Sequence, residues 1–178
     1  VTPSRDMKDF ELFLSNYFGK HFRARVYARP GDEPEAEPRF IAADRTPESR
    51  GGYVMYPRDD AAVAMIRDGR WKIPPSPVDW WIDDRLATPL AMRRDTQQGI
   101  TALLMCPPDD CFAVSAAFNP PTPEAGGYRS LYFSLFGEDL KAGQSATAHT
   151  RLVVEQNMSD ARAVARYRAY LKDRKEKQ

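Results

Sequence analysis

Apolar runs in this chain never last long: clusters of Pro, Gly, Asp and Asn cut them, and inside several of them apolar and polar side chains alternate. Alternation with a period of two places every second side chain on one face of a strand, so each run can bury one face and solvate the other. Many such runs with turn signals between them predict an antiparallel sheet folded on itself as a sandwich. Nothing alternates strand with helix in the manner of a doubly wound sheet. The expected fold is therefore mainly β: an antiparallel β-sandwich with a short internal helix and a C-terminal amphipathic helix.

Individual segments carry this reading. In Asp9–Phe18 the residues Phe10, Leu12 and Leu14 share a face, and in Phe22–Ala28 the residues Phe22, Ala24, Val26 and Ala28 oppose Arg23, Arg25 and Tyr27. Residues 29–38 and 45–52 read as exposed loops around a short strand at Phe40–Ala43, and Tyr53–Tyr56 stops at Pro57. Residues 59–69 predict a short helix, opened by Asp59 and Asp60 and closed by Gly69. Pro74, Pro75 and Pro77 hold the next stretch extended up to Trp80 and Trp81. Pro89–Arg94 with Ile100–Cys106, and Cys111–Phe118 with Ser130–Phe136, predict two strand pairs, and Thr147–Glu155 a last strand. From Ser159 the period changes: Val164, Tyr167 and Leu171 recur at helical spacing behind a capping serine, and the charged tail from Asp173 is expected to fray.

A chain of 178 residues is enough for one compact domain and short for two, so residues 1–178 are expected to form a single sandwich. The start at Val1 suits a fragment of a larger sandwich, whose missing N-terminal segment or neighbouring domain would be a partner. Lys plus Arg (26) nearly balances Asp plus Glu (25), which argues against a general nucleic-acid or anionic-membrane binder. No apolar run approaches the roughly 20 residues of a membrane span, and the chain reads as soluble.

Cys106 and Cys111 flank Pro107-Pro108-Asp109-Asp110 between two apolar runs. Were those runs paired as a hairpin, the cysteines would sit opposite each other at its base, as a disulfide or as two half-buried thiols; the first would favour an extracytoplasmic setting, and otherwise the compartment is open. No second Cys or His pair completes a zinc site, and Asp109-Asp110 lacks the spacing of a calcium loop, so no metal and no cofactor is expected.

The candidate acid–base residues are His21, after a Gly-Lys turn, and His149, in the last alternating run. Neither a nucleophile elbow, nor a zinc-protease His pair, nor a phosphate-binding glycine loop accompanies them. The middle of the chain carries a denser set: Arg58, Asp59, Trp71, Asp79, Trp80, Trp81 and Arg93, with three Trp residues inside eleven positions. Aromatic faces cover the C–H surfaces of sugar rings while carboxylates and guanidinium groups bond their hydroxyls, and this set supplies both. The plainer alternative is that the tryptophans are core and the Arg and Asp residues decorate the surface.

Leu140-Lys141-Ala142-Gly143-Gln144-Ser145, leading into Leu152-Val153-Val154, resembles the Leu-x-(Pro/Ala)-Gly-(Glu/Gln)-(Ser/Thr) approach to a late strand in galactose mutarotase-like β-supersandwiches, the superfamily of aldose epimerases and of sandwich domains in polysaccharide-processing enzymes. Asp9–Leu14 is similar to their inner strands. The resemblance implies a sandwich that handles sugars. It departs from the epimerases at Ser15-Asn16-Tyr17-Phe18, where Asn16 stands in place of a catalytic His, so epimerisation is not implied with it.

Three functions follow as expectations. The first is a carbohydrate-interacting sandwich, either a binding module or part of a polysaccharide-processing protein. The second is a non-catalytic structural or interaction domain of a larger protein. The third is a lyase or epimerase using His21 or His149 with Arg58 or Tyr17, so whether the chain is an enzyme stays open.

Overall fold

In the computed structural model, residues 1–31, 35–44, 52–72, 80–119 and 128–176 are described. In chain order they form β1 (Met7–Phe18), β2 (Phe22–Arg29), β3 (Arg39–Ala42), β4 (Gly52–Pro57), α1 (Asp60–Ile66), β5 (Trp80–Ile82), β6 (Arg85–Asp95), β7 (Ile100–Met105), β8 (Cys111–Asn119), β9 (Tyr128–Leu140), β10 (Arg151–Gln156) and α2 (Asp160–Lys175). The chain is mainly β, as the alternation predicts. None of the described helices is long and apolar enough to cross a membrane.

The strands make two five-stranded sheets, the first ordered β1-β9-β8-β4-β5 and the second β10-β7-β6-β2-β3. All pairings are antiparallel except β4 with β5, which is parallel. The inner faces meet in one core, built from Val54, Val114, Leu131 and Phe133 of the first sheet and Val26, Ile41, Ala91 and Leu104 of the second. Each large apolar side chain removed from water there contributes about 1.5–3 kcal/mol.

The outer faces are treated differently. On the second sheet, Leu90, Met92, Leu103 and Met105 are covered by α2 through Ala163, Tyr167 and Tyr170, with Val164 and Leu171 half-buried beside them. The Ser159 side chain caps this helix, and Asp160 in its first turn accepts from Arg25 (2.7 Å) and Arg94 (3.1 Å) of the sheet below. On the first sheet, α1 covers only the area of Met55, Phe112 and Ala113. Asp59 caps α1, accepting from the Ala62 amide at 2.8 Å, and Gly69 beyond its end has φ 97°, as its sequence position predicts.

Two details correct the sequence reading. The runs flanking Cys106 and Cys111 are not a hairpin: β7 lies in the second sheet and β8 in the first, and residues 107–110 carry the chain across the sandwich. Both cysteines are buried free thiols. Their side chains remain neighbours across that connection, and a hydrogen bond with Cys111 together with burial pushes the Cys106 thiol well above its ordinary value, so it stays protonated. The last strand starts at Arg151 rather than Thr147, because the backbone N–H of His149 donates to the Asp110 carboxylate (2.7 Å) and is drawn away from a ladder.

Candidate functional site

The outer face of the first sheet beyond α1 carries an aromatic surface. Cross-strand register places Tyr17, Ser130, Ala117, Tyr53 and Trp80 in one row over all five strands, and Ser15, Tyr132 and Ser115 in the next. Residues two apart on a strand share a face, so Phe13 and Glu11 continue this surface along β1. The middle strand β8 supplies only small side chains here, Ala117 and Ser115, and the rings come from the strands on either side of it. Trp71, in a 3-10 turn at Arg70–Lys72, packs edge-on to Phe13 with centroids 4.5 Å apart. Tyr53 lies 5.9 Å from Trp71 and 5.4 Å from Tyr132, and Tyr132 lies 6.1 Å from both Phe13 and Tyr17. These separations suit tilted and edge-to-face aromatic pairs.

The surface runs from buried to open. Tyr132 is 6% exposed, Phe13, Tyr53 and Trp71 are half-buried, and Tyr17 is 62% exposed. Burial pushes the Tyr132 phenol far above its ordinary value, and the neighbouring Tyr17 and Tyr53 hydroxyls add to that, so the hydroxyl is a neutral donor and acceptor. At the β1 end stands Glu11, its side chain 6% exposed, 3.3 Å from the Arg70 guanidinium. Burial raises the Glu11 carboxyl above the usual carboxylate range, against the opposing pull of Ser134 and Arg70. Arg70 also holds Asp68 with two hydrogen bonds of 2.8 and 2.7 Å and the Asp9 carbonyl at 2.8 Å, which fixes the turn that presents Trp71. An apolar surface with phenol groups and a buried acid at its margin can pack against a ring and bond its hydroxyls.

The residues singled out from the sequence divide among several places. Trp71 belongs to the aromatic surface, and Trp80 is half-buried on the same face, packed with the α1 cluster. Trp81, next along β5, turns to the opposite face and packs on the central core. Arg58 and Asp59 pair at 2.8 Å and line a separate cleft of about 740 Å³ with Asp60, Arg85, Ile82 and Leu86. Asp79 lies outside the described residues. Arg93 is 0% exposed: it sits between the sheets, paired with Asp44 at 2.6 Å and bonded to carbonyls of both sheets, so it faces neither the cleft nor the aromatic surface.

The histidines are at opposite ends of the second sheet. His21 is exposed in the β1–β2 turn, near the end of β6, where its carbonyl accepts from Thr96. His149 precedes β10, its Nδ1 3.1 Å from the Asp110 carboxylate and 3.0 Å from the Arg174 guanidinium. One Nδ1 cannot donate to Asp110 and accept from Arg174 in the same protonation state, so the histidine serves one partner at a time and ties the end of α2 to the 107–110 connection. Arg58 reaches the other side of that connection through the Pro108 carbonyl (3.1 Å), and Tyr17 lies away on the first sheet. Among the described residues, no three His, Cys, Asp or Glu side chains are grouped to hold a metal ion.

Phe13, Tyr53, Tyr132, Glu11 and Arg70 were not marked by the sequence reading. Their alternation is visible, but strands widely separated in sequence bring them together. Compared with known protein families, with curated proteins and with solved structures, the chain matches none.

Proposed function

We propose that this chain is a carbohydrate-interacting β-sandwich domain, a divergent relative of the galactose mutarotase-like sandwiches, and that a saccharide stacks on the aromatic surface of its first sheet. One observation carries the reading: Phe13, Trp71, Tyr53, Tyr132 and Tyr17 form an unbroken chain of ring contacts on an outer sheet face, and Tyr17 is 62% exposed. A fully enclosed core cluster would leave no ring this accessible to solvent. Tyrosine and tryptophan combine an apolar face with a hydrogen-bonding tip, which suits a partner that is apolar above and below and polar at its rim.

The test is calorimetric titration of the chain with a panel of neutral and acidic oligosaccharides, read in parallel by tryptophan fluorescence. Binding should perturb Trp71 emission, and Tyr17→Ala should weaken it at least tenfold with the circular dichroism unchanged. Absence of heat and of fluorescence change with every sugar at millimolar concentration overturns the proposal, as does binding that Tyr17→Ala and Trp71→Ala both leave intact.

A second reading, a non-catalytic interaction domain, is favoured by Leu152 and Val154, 53% and 63% exposed on the edge strand β10. Free strand edges with apolar side chains pair readily with other chains. Light scattering of wild type and Leu152→Lys would separate the two, since only this reading expects self-association or partner capture to fall with the substitution.

A further inference from the structure

The 740 Å³ cleft lies away from the aromatic surface, between the ends of β2 and β4, α1 and the β5–β6 turn. Its charged residues are unequally occupied. Asp59 accepts from Arg58 and from the Ala62 amide; Asp60 accepts from Arg85, whose second nitrogen donates to the Asp59 carbonyl at 3.1 Å. Asp83, also on the wall, accepts from the Asp84 amide at 2.8 Å and Asp84 from the Gly31 amide at 2.9 Å, and both make further contacts. Two cations on the wall are left over: Arg29, half-buried at the end of β2, and Arg67, exposed at the C-terminal end of α1. Neither guanidinium makes a hydrogen bond or ion pair with another described residue.

We propose that this cleft binds a small polar molecule through a carboxylate or phosphate group held by Arg29 and Arg67. A guanidinium carries five N–H donors in a planar fork, which matches the paired oxygens of either oxyanion. Arg29 stands on a strand whose end is held by the Arg29–Arg85 pairing with β6, so its backbone position is fixed by the sheet. Half-buried placement keeps the charge partly desolvated, which strengthens a contact with an anion relative to one made in open water. Ile82 and the buried Leu86 supply an apolar floor, completing the pattern of a small-molecule cleft with few oriented polar groups. Arg58 and Arg85 are already neutralised, so the anion's position is set by the two unoccupied forks. This site does not depend on the sugar reading of the aromatic surface.

The experiment titrates the full chain with sodium phosphate and, separately, with sodium malonate, at constant ionic strength set by chloride. Saturable binding of one or both is expected, and the preferred anion tells a phosphate ligand from a carboxylate one. Arg67→Gln, on an exposed position, should weaken binding at least tenfold. Arg29→Gln should do the same, and Arg29→Lys, which keeps the charge but loses the fork, should recover only part of it. Arg168→Gln, an exposed arginine on α2, should change nothing. The proposal falls if neither anion binds above the chloride background, or if Arg168→Gln lowers binding as much as Arg67→Gln does.

Discussion

Arg93 on β6 and Asp44 after β3 form an ion pair of 2.6 Å in the interior of the sandwich. Asp44 also accepts from the Ala24 amide at 2.6 Å and lies 3.3 Å from Arg129 on β9, while Arg93 donates to the Ala117 and Ser130 carbonyls of the first sheet. One carboxylate therefore bridges two arginines, one from each sheet. Removing it strands a charge that has no water to turn to. Asp44→Ala should cost about 3–5 kcal/mol, the range for breaking one partner from a buried pair. Arg93→Met should cost less, because Asp44 keeps Arg129 and the Ala24 amide. Urea denaturation of the two variants checks the order; equal midpoints would contradict it.

Gly137 is the extra residue of a bulge in the β1–β9 ladder, with φ 76°, and a Cβ there would fall 2.6 Å from Cδ1 of Phe112 and 3.0 Å from Cε of Met65. Phe112 and Met65 are the contact between β8 and α1. Gly137→Ala combines a left-handed backbone cost of about 1–2 kcal/mol with overpacking of about 1–3 kcal/mol. A fall in Tm with loosened α1 amide protection is expected, and an unchanged Tm would show that the helix yields freely.

Glu11 carries a raised carboxyl pKa because it is buried. The folded state then holds its proton more tightly than the unfolded chain, so its contribution to stability is fully present below the ordinary glutamate value, about 4.3, and is lost as pH rises through the raised folded value. Glu11→Gln removes that loss, and its stability relative to wild type should climb as the pH rises above the ordinary glutamate value. Asp68 acts in the opposite sense: Arg70 holds its carboxyl low, so its contribution is present at neutral pH and fades on acidification below about pH 4. Denaturation midpoints against pH for wild type and Glu11→Gln provide the check; parallel curves would refute it.

Tyr167 on α2 donates its hydroxyl to the Cys106 carbonyl at 3.1 Å and meets the Thr88 hydroxyl. Tyr167→Phe keeps the ring and leaves that carbonyl without this donor, a cost of about 1–3 kcal/mol for an unsatisfied buried group. Hydrogen exchange should show the loss first in α2. A uniform change across both sheets would mean that the helix is not the element this bond secures.

Much of the secondary structure is legible in the sequence, because period-two alternation in Phe22–Ala28 or the Asp59 and Gly69 boundaries of α1 report local physics. What the sequence hides is which strand lies beside which. Residues 107–110 could close a hairpin or cross between sheets, and no local feature of Pro-Pro-Asp-Asp distinguishes them. Trp80 and Trp81 look like one cluster, yet adjacent strand positions point apart. Arg93 and Arg94 are neighbours in the sequence, yet Arg93 turns inward to Asp44 and Arg94 outward to Asp160. The aromatic surface draws Phe13, Tyr53, Trp71 and Tyr132 from four separate segments, so no window on the sequence contains it.

The interleaving of the two sheets has a kinetic consequence. Successive strands visit them in turn: β1 the first sheet, β2 and β3 the second, β4 and β5 the first, β6 and β7 the second, β8 and β9 the first, β10 the second. Because β1 pairs, among the described residues, only with β9, the ends of a 134-residue stretch, Met7 to Leu140, must find each other before the first sheet is complete. During synthesis β1 waits as an unpaired edge until most of the chain has emerged, and non-local pairings of this kind make folding slow. Whatever shields β1 during that wait matters as much to the yield of native protein as any contact in the finished sandwich.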